Sequence, residues 1–406
     1  MVSTDISITQ YFPFNQVKIT GQEIDKENKC SNIHLETRKD TVMRCGICGE
    51  EVRTGIHSWT ARSIRDLSLT EFKTLLAVRY RKLVCPRCHK VRVEKLDFGQ
   101  PYSRVTWRLA NYVYGLCQHM SLEQVAEHLG LDWKTVKQID KYFLGQKFKQ
   151  TDYSNLRILA VDEVAIRKGH SYLTVMLDWE TGRVIWVGKN RNKRTLNKFF
   201  KPMPKVARDK VEAVAMDMWP AFINRVTCWC SKAKIVFDLF HAVKDFNEVI
   251  NQVRRTEFAK ATAQGKELLK GSKYLLLHNW VHVRGNNRSW LEEILKMNAP
   301  LWEAYVLKEL LKRIWSYSSR ACAEQSLSSW YGLASQHPHR AVRAFAQKIL
   351  RHSEGILNHC DYPIDTSRLE GVNNKIKFIK RRAYGFHDTD YFILKIKQAF
   401  PGKAMA

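Results

Sequence analysis

The most constraining feature of this sequence is a series of short apolar runs between residues 156 and 255, separated by turn signals and helix-like segments. Three runs come first, and the turn Glu180-Thr181-Gly182 separates the second from the third, so they predict an antiparallel meander. Two further runs, each followed by a helix-like segment, predict a strand–helix–strand–helix order. The runs are 156–166, 171–179, 183–187, 211–216 and 234–237. This order predicts an α/β domain built on one mixed sheet.

Acidic side chains occupy two of these strands. Asp162 lies within the first apolar strand, where a buried charge costs free energy unless it is paired or binds a metal. Asp217 ends the fourth strand. Three antiparallel strands followed by strand–helix–strand–helix is the order of the RNase H-like fold, in which the first and fourth strands are neighbours. The sequence therefore predicts that the two carboxylates lie side by side. For each aspartate alone, helix capping or a salt bridge is the alternative.

A third candidate acid follows a long helical segment. The segment from about residue 256 to about residue 350 has a helix-like pattern and is rich in Trp, which predicts a helical insertion into the RNase H-like domain. A final amphipathic helix begins near Leu369, with Glu370 in its first turn. Lys377 and Arg381 follow on adjacent polar turns and are candidates for binding phosphates. A solvated basic helix, whose first-turn Glu is stabilised by the helix dipole, is the alternative.

Asp162, Asp217 and Glu370 together are typical of two-metal phosphoryl chemistry. That chemistry needs several carboxylates that converge on two ions about 3.5–4 Å apart, where the ions polarise a phosphate and stabilise the leaving oxygen. Strands suit this task because they hold carboxylates rigidly. We predict that the three acids are catalytic and hold two Mg²⁺ ions per active site, with Mn²⁺ as a substitute.

Three neighbouring residues are less specific. Glu163 directly follows Asp162, so the alternation of side chains along a strand predicts it on the opposite face, outside the site. Asp238 and His241 follow the fifth strand, within reach of the acids. Helix capping explains them in structural terms. An auxiliary role, with His241 contacting the scissile phosphate, is the functional alternative.

Two Cys-x-x-Cys pairs precede this domain, Cys45 with Cys48 and Cys85 with Cys88. Each pair places two thiolates on one tight turn, so four sulfurs can close a tetrahedral zinc site that has no open position. We predict a structural Zn²⁺ in a zinc-ribbon domain at 42–98. The spacing between the pairs is about twice the usual one, and we expect a helix-like excursion at 69–80 to hold the excess. A redox pair is the alternative.

The segment 104–148 has the pattern of a helix-turn-helix domain. Ser121 can cap the first helix with Gln124 in the reciprocal position, Gly130 can end it, and Asp132 can cap the second helix. A plain helical hairpin is the alternative. Four residues of the second helix are expected to face DNA. They are Lys134, Thr135, Lys137 and Gln138.

The charge balance favours a polyanionic partner. Lys and Arg number 67 against 40 Asp and Glu, a formal net charge of +27, and each phosphate that such a protein neutralises releases counterions. Residues 1–41 are polar and predict a flexible N-terminal arm. No apolar run approaches the roughly 18 residues of a membrane helix, and residues 1–10 lack the apolar segment of a signal peptide. We therefore expect a cytoplasmic, nucleoid-associated protein without membrane contact.

The chain resembles the ISL-three family of bacterial insertion-sequence transposases. The matching stretches are 161–170, 211–218, 234–241, 369–377 and 381–385. The zinc ribbon and the helix-turn-helix match the family in order, so the resemblance covers roughly 42–397. It implies a DDE triad, which maps onto Asp162, Asp217 and Glu370, in an RNase H-like catalytic domain at 156–397.

The resemblance implies a DNA transposase that recognises terminal inverted repeats. Such an enzyme hydrolyses the transposon ends and transfers a 3′-hydroxyl into double-stranded target DNA, and pairing two ends requires a homodimer or higher assembly. Trp and Arg residues of the insertion are candidates for stacking on bases, with core packing as the alternative. Two rival functions are a non-catalytic DNA-binding regulator and a structure-specific RNase H-like nuclease without strand transfer. Acids on three separate elements disfavour the first, and a sequence-reading front end disfavours the second.

Overall fold

The computed structural model describes residues 11–99, 103–167, 171–364 and 367–403. The chain divides into two compact units, Met1–Gln146 and Lys147–Ala406. Within the described residues, no helix combines the length and the apolar character needed to cross a membrane.

A five-stranded sheet forms the first half of the first unit. The spatial order of its strands is β1-β2-β4-β3, and β5 pairs with β4. Buried positions alternate with half-buried ones along β2 and with more accessible ones along most of β4, so one face of the sheet carries a core that includes Ile33, Leu35 and Leu76. The strands are β1 (Val17–Asp25), β2 (Cys30–Thr37), β3 (Ile56–Arg65), β4 (Lys73–Cys85) and β5 (Lys90–Val93).

Two predictions for this region are wrong. Residues 11–41 are not a flexible arm, because β1 pairs with β2 and β2 pairs in parallel with β4; residues 1–10 of the predicted arm lie outside the described residues. The predicted helix-like excursion at 69–80 instead contains the first part of β4. Leu76, Val78 and Tyr80 are buried with a period of two, and backbone pairing on both sides of β4 outweighs its local helical propensity.

Three helices complete the first unit: α1 (Trp107–Leu116), α2 (Leu122–Leu129) and α3 (Trp133–Lys147). The predicted caps are confirmed. Ser121 and Gln124 form a capping box at the start of α2, and Gly130 ends that helix at a φ of 61°. The Asp132 carboxylate accepts a hydrogen bond of 2.8 Å from the backbone N–H of Lys134 at the start of α3.

A buried aspartate connects the sheet to these helices. Asp66, which follows β3 and is fully buried, accepts a hydrogen bond of 2.7 Å from the Thr106 hydroxyl and another of 2.7 Å from Arg108 Nε. Thr106 is the N-cap of α1. The sheet therefore determines where the first helix begins, because a buried carboxylate must keep these donors.

The second unit is built on a mixed sheet with the order β10-β9-β6-β7-β8. Strands β6, β7 and β8 are antiparallel neighbours, whereas β6, β9 and β10 run parallel. This is the predicted RNase H-like order, which the structure confirms. The strands are β6 (Ile158–Arg167), β7 (Ser171–Asp178), β8 (Val184–Lys189), β9 (Ala213–Met216) and β10 (Lys234–Phe237).

Helices cover both faces of this sheet. One core cluster combines Val161 and Met216 of the strands with helical residues such as Phe222. The other combines Ala160, Val164 and Ala215 with residues of the two last helices. The helices are α4 (Lys193–Phe200), α5 (Lys205–Asp209), α6 (Pro220–Trp229), α7 (Leu239–Lys260), α8 (Ala263–Leu269), α9 (Lys273–Leu277), α10 (Asn286–Met297), α11 (Ala299–Ile314), α12 (Arg320–Gln336), α13 (Arg340–Arg351), α14 (Ser353–Leu357), α15 (Ser367–Arg382) and α16 (Thr389–Ala399).

A fully buried lysine stabilises the helical segment α8 to α14, which contains most of the predicted insertion at about 256–350. Lys308 on α11 has no solvent-exposed side-chain surface, and its ammonium donates hydrogen bonds of 3.0 and 2.7 Å to the carbonyl oxygens of Leu276 and His278. These carbonyls lie at the end of α9, where carbonyl groups have no hydrogen-bond donor within the helix. Burial lowers the pKa of Lys308 to about 8. The lysine therefore joins α11 to the end of α9.

Lys308→Met should lower the free energy of unfolding by about 1–3 kcal/mol, because a buried carbonyl loses its donor. The measurement is chemical denaturation followed by tryptophan fluorescence. Lys296→Met, at an exposed position of α10, should change stability by no more than about 0.5 kcal/mol. Equal effects of the two substitutions would contradict the structural role of Lys308.

Candidate functional site

Strand register places three aspartates at one edge of the second sheet. Ala160 of β6 pairs with Ala215 of β9, so Asp162 and Asp217 occupy level positions two residues further along the parallel strands. Phe237 of β10 pairs with Met216, so Asp238 is level with Asp217. The carboxyl ends of neighbouring parallel strands form the usual edge for ligand binding in such sheets.

Helix α15 contributes the other half of the site. The Asn373 amide donates a hydrogen bond of 2.6 Å to Asp162 Oδ2, and Val372 and Ile376 on the same helix pack in the core cluster that contains Ala160. Glu370 lies one turn before Asn373. A cavity of about 250 Å³ lies between the sheet edge, α7 and α15. It is lined by Asp162, Glu163, Asp238, Phe240, His241, Lys244, Leu369, Glu370, Asn373, Asn374 and Lys377.

The two central carboxylates are electrostatically strained. Burial raises the pKa of Asp162 and of Asp217, and the charge of Asp162 raises the pKa of Asp217 further. Burial alone lowers the pKa of His241, but the hydrogen bond to Asp238 and the charges of the three aspartates together raise it. Clustered acids that are hard to ionise are typical of functional sites, because a bound cation relieves both burial and repulsion.

The oxygen atoms of the site fit a divalent ion. Oδ1 of Asp217 and Oδ1 of Asn373 are buried without a hydrogen-bond partner among the described residues. Carboxylate and amide oxygens are the ligands that Mg²⁺ prefers. In the described part of the chain, the acids do not form a group whose ligand atoms all lie within 4.8 Å of one another. Two ions about 3.5–4 Å apart accept a wider arrangement than this.

The two predicted basic residues of α15 differ in their position relative to the cavity. Lys377 lines the cavity, whereas Arg381 lies in the last turn, on an exposed part of the helix that the cavity does not reach. Lys244 also lines the cavity, although nothing in the sequence pattern predicted it there. Its signal was weak, because one lysine on a basic helix has no distinguishing spacing.

Asp238 and His241 combine both of the interpretations given to them. The Asp238 carboxylate caps α7 by accepting a hydrogen bond of 2.7 Å from the Phe240 backbone N–H. Its other oxygen lies 2.9 Å from His241 Nδ1. Asp238 is 5% exposed. The pair is therefore a structural cap whose imidazole also lines the cavity.

Glu163 lines the cavity, although it lies on the strand face opposite to that of Asp162, as expected. Glu163 is on the strand face of Val161, and its carboxylate pairs with Arg191 at 3.2 Å. After burial, the charge of Asp217 is the largest influence that raises the pKa of Glu163. The reason is that β6 projects beyond β9, so a long side chain on either face stays close to the sheet edge.

The four cysteines of the first unit converge. Their sulfur atoms all lie within 4.8 Å of one another, with distances of 4.0 Å from Cys45 to Cys88 and 3.5 Å from Cys48 to Cys85. Four sulfurs about 2.3 Å from one tetrahedral ion are about 3.8 Å apart. The cluster thus fits a structural Zn²⁺. The β3–β4 hairpin accounts for the long spacing between the two pairs.

Helix α3 presents the predicted DNA-contacting residues with unequal exposure. Lys134 and Gln138 are exposed, whereas Thr135 and Lys137 are partly buried. Thr135 and Gln138 line a cavity of about 490 Å³ beside α1. Trp133, 51% exposed at the start of α3, is a further candidate that the sequence analysis missed.

Comparisons with known proteins agree with this architecture. A transposase family model matches residues 159–396. A model of the helix-turn-helix domain of transposase family ISL3 matches 94–144. A model of the zinc-finger of transposase IS204/IS1001/IS1096/IS1165 matches 41–88.

Two relatives are similar over most of their length. The transposase for insertion sequence element IS1001 of Bordetella parapertussis is 40% identical over 366 residues, which cover 89% of this chain and 90% of that protein. The transposase for insertion sequence element IS1557 of Mycobacterium tuberculosis is 26% identical over 383 residues, which cover 88% of this chain and 86% of that protein. The chain belongs to the ISL3 family of insertion-sequence transposases.

Cys48→Ser should release zinc from the purified protein and unfold the ribbon, because a structural zinc site contributes directly to folding free energy. Zinc content is measured with a colorimetric chelator after denaturation, and we expect about one ion per chain in the unaltered protein. Cys322→Ser, at an exposed cysteine of α12, is the control and should keep the ion. Full zinc content in Cys48→Ser would contradict the assignment.

Proposed function

We propose that this transposase binds the terminal inverted repeats of its insertion sequence, cleaves the DNA there, and joins the resulting 3′-hydroxyl to target DNA at the same site. The observation that carries the proposal is the level position of Asp162 and Asp217 on parallel strands, with Glu370 on the helix that bonds to Asp162. Both steps are in-line attacks on phosphorus, so one set of carboxylates serves both.

Asp162, Asp217 and Glu370 would hold two Mg²⁺ ions, with Mn²⁺ as a substitute. When bound, these ions polarise the scissile phosphate, promote deprotonation of water or of the 3′-hydroxyl, and stabilise the leaving oxygen. Oδ1 of Asp217, which has no hydrogen-bond partner in the described part of the chain, supports this role. The raised pKa values of both aspartates support it as well, since a nearby cation favours the ionised forms.

The chain's own polar residues would position the reacting groups. The Asn373 amide donates to Oδ2 of Asp162, and the Glu163 backbone N–H donates a hydrogen bond of 2.7 Å to Oδ1, so the orientation of this carboxylate is fixed from both sides. Asp238 fixes the orientation of the His241 ring, which then faces the cavity as a donor to the scissile phosphate. Lys244 and Lys377 line the same cavity and would neutralise the flanking phosphates.

The first unit would supply recognition of the DNA ends. Lys134, Thr135, Lys137 and Gln138 lie on the second helix of the helix-turn-helix, which enters the major groove in proteins of this class. Arg381 extends the basic surface of α15 in the second unit. The net charge of +27 supports close contact with double-stranded DNA in the bacterial nucleoid. Joining two ends at once would require a homodimer or a higher assembly.

Asp217→Asn should abolish cleavage while leaving DNA binding intact. Losing one charged metal ligand removes several kcal/mol of transition-state stabilisation, which corresponds to a rate loss of at least about a thousandfold. The measurement is Mg²⁺-dependent nicking of a duplex that carries the element's own terminal repeat, beside a gel-shift assay. Asp209→Asn, at an exposed position of α5, should cut at the normal rate.

Two results would overturn parts of this proposal. If the unaltered protein and Asp217→Asn bind DNA equally well and neither cuts it in Mg²⁺ or Mn²⁺, the result would favour a DNA-binding regulator. Cutting of branched DNA regardless of the terminal sequence would favour a nuclease without strand transfer.

Lys134→Ala and Gln138→Ala should weaken DNA binding in different ways. Loss of a phosphate contact at Lys134 should weaken binding to every sequence and lower the slope of log K against log salt by about 1. Loss of a base contact at Gln138 should cost about 1–3 kcal/mol on the terminal repeat only. Fluorescence anisotropy on specific and random duplexes separates the two outcomes, and identical behaviour would contradict the assigned roles.

A further inference from the structure

A cation between two aromatic rings lies at the rim of the proposed active site. The Arg191 guanidinium is 4.3 Å from the centroid of the Tyr172 ring and 5.3 Å from that of Trp219. Arg191 is also paired with Glu163, whose side chain is 13% exposed. Strands β6 and β7, the β8–α4 connection and the start of α6 thus hold one guanidinium in place. A planar guanidinium held in this way is a rigid support for an aromatic ring.

Trp219 lies next to the proposed catalytic carboxylate. It directly precedes α6 and is its N-cap residue. Burial raises the pKa of Asp217, and the nearby backbone N–H of Trp219 counters part of that rise. The Trp219 side chain is nevertheless 39% exposed. The indole therefore faces solvent beside the carboxylate, with Arg191 packed against it.

The surroundings of this indole suit a negatively charged, aromatic ligand. Arg191 remains 40% exposed, and Glu163, the acid beside it, is already paired. Three other exposed cations lie nearby. Lys193 and Arg194 follow Arg191 in sequence, and Arg167 pairs across the hairpin with Ser171, the residue before Tyr172. Planar bases joined by phosphates are the biological polymer that combines stacking with negative charge.

Most tryptophans of the helical insertion are committed to packing. Trp330 is buried, and Trp290, Trp315 and Trp330 each donate the indole N–H to a backbone carbonyl. Trp280 stacks on Arg288. The expectation of base stacking in the insertion is therefore weakened for these four side chains. Trp302, 47% exposed on α11, is the remaining one and stays a candidate for stacking.

We propose that Trp219 stacks on a nucleobase next to the phosphodiester that is attacked, and that Arg191 is the positioning residue that holds its ring. The proposal rests on the function proposed above for the location of that phosphodiester. The stack would hold the DNA strand at the carboxyl end of β9, so that a phosphate lies opposite Asp162 and Asp217. A base that stacks on protein must leave the duplex stack, so end sequences that unpair easily should be preferred.

Photocrosslinking tests the contact without requiring catalysis. Duplexes with the terminal repeat carry 5-iodouracil at one position at a time across the cleavage boundary, and adducts are mapped by mass spectrometry in the full-length protein without Mg²⁺. We expect an adduct on Trp219 from one or two positions beside the boundary and its loss in Trp219→Ala. Bound DNA that yields adducts only at other residues, or none at all, would overturn the proposal.

Single-turnover cleavage tests the consequence. Trp219→Ala should slow cleavage by about 5- to 150-fold, the range that one base–aromatic stack contributes, with less than about threefold change in Kd for the repeat. Trp219→Phe should retain most of the rate, and Tyr274→Ala, at an exposed aromatic residue of α9, should match the unaltered protein. Adding Arg191→Gln to Trp219→Ala should slow cleavage no further, because a positioning residue acts through the ring it holds.

The two proposals fail separately. If the unaltered protein cuts and Trp219→Ala cuts equally fast, the stacking proposal is wrong and the enzyme proposal stands. If 5-iodouracil crosslinks to Trp219 but no cutting occurs in Mg²⁺ or Mn²⁺, the stacking proposal stands and the proposed cleavage activity is wrong.

Discussion

The proposed chemistry of this transposase depends on the parallel pairing of β6 with β9. Pairing of Ala160 with Ala215 brings Asp162 level with Asp217, although 54 residues lie between the two in sequence. A shift by one residue would turn one carboxylate to the other face of the sheet, since side chains alternate along a strand. The buried residues on both sides of these strands resist such a shift. Hydrophobic packing thus sets the geometry of the polar site.

The same packing makes the site electrostatically costly. Burial raises the pKa of Asp162 and Asp217, and the Asp238–His241 pair beside them compensates only in part. A folded protein retains such a cluster when a ligand offsets the cost, and a divalent cation would do so because its charge opposes that of the carboxylates. Trp219 and Arg191 extend this arrangement to the rim, where an aromatic ring and a cation meet solvent together.

The first unit is held together by a cysteine cluster and by one buried carboxylate. Four cysteines join the segment before β3 to the turn between β4 and β5, and buried Asp66 joins the sheet to the first helix. The helix-turn-helix then needs few further constraints, because its caps are local. Short polar motifs and one cluster of sulfurs thus act together with two apolar clusters, one on the sheet and one among the three helices.

The sequence by itself determined the α/β class, the strand order, the helix caps at Ser121, Gly130 and Asp132, and the cysteine cluster, because each follows from local periodicity or from chemistry at short spacing. It did not determine that β1 and β2 join the first sheet, that 73–85 is a strand, or that Glu163, Lys244 and Arg191 lie near the acids. Those features arise from pairing between segments that are distant in sequence and from the extension of β6 beyond its neighbour β9. Local sequence carries no signal for either, so only the tertiary structure decided them.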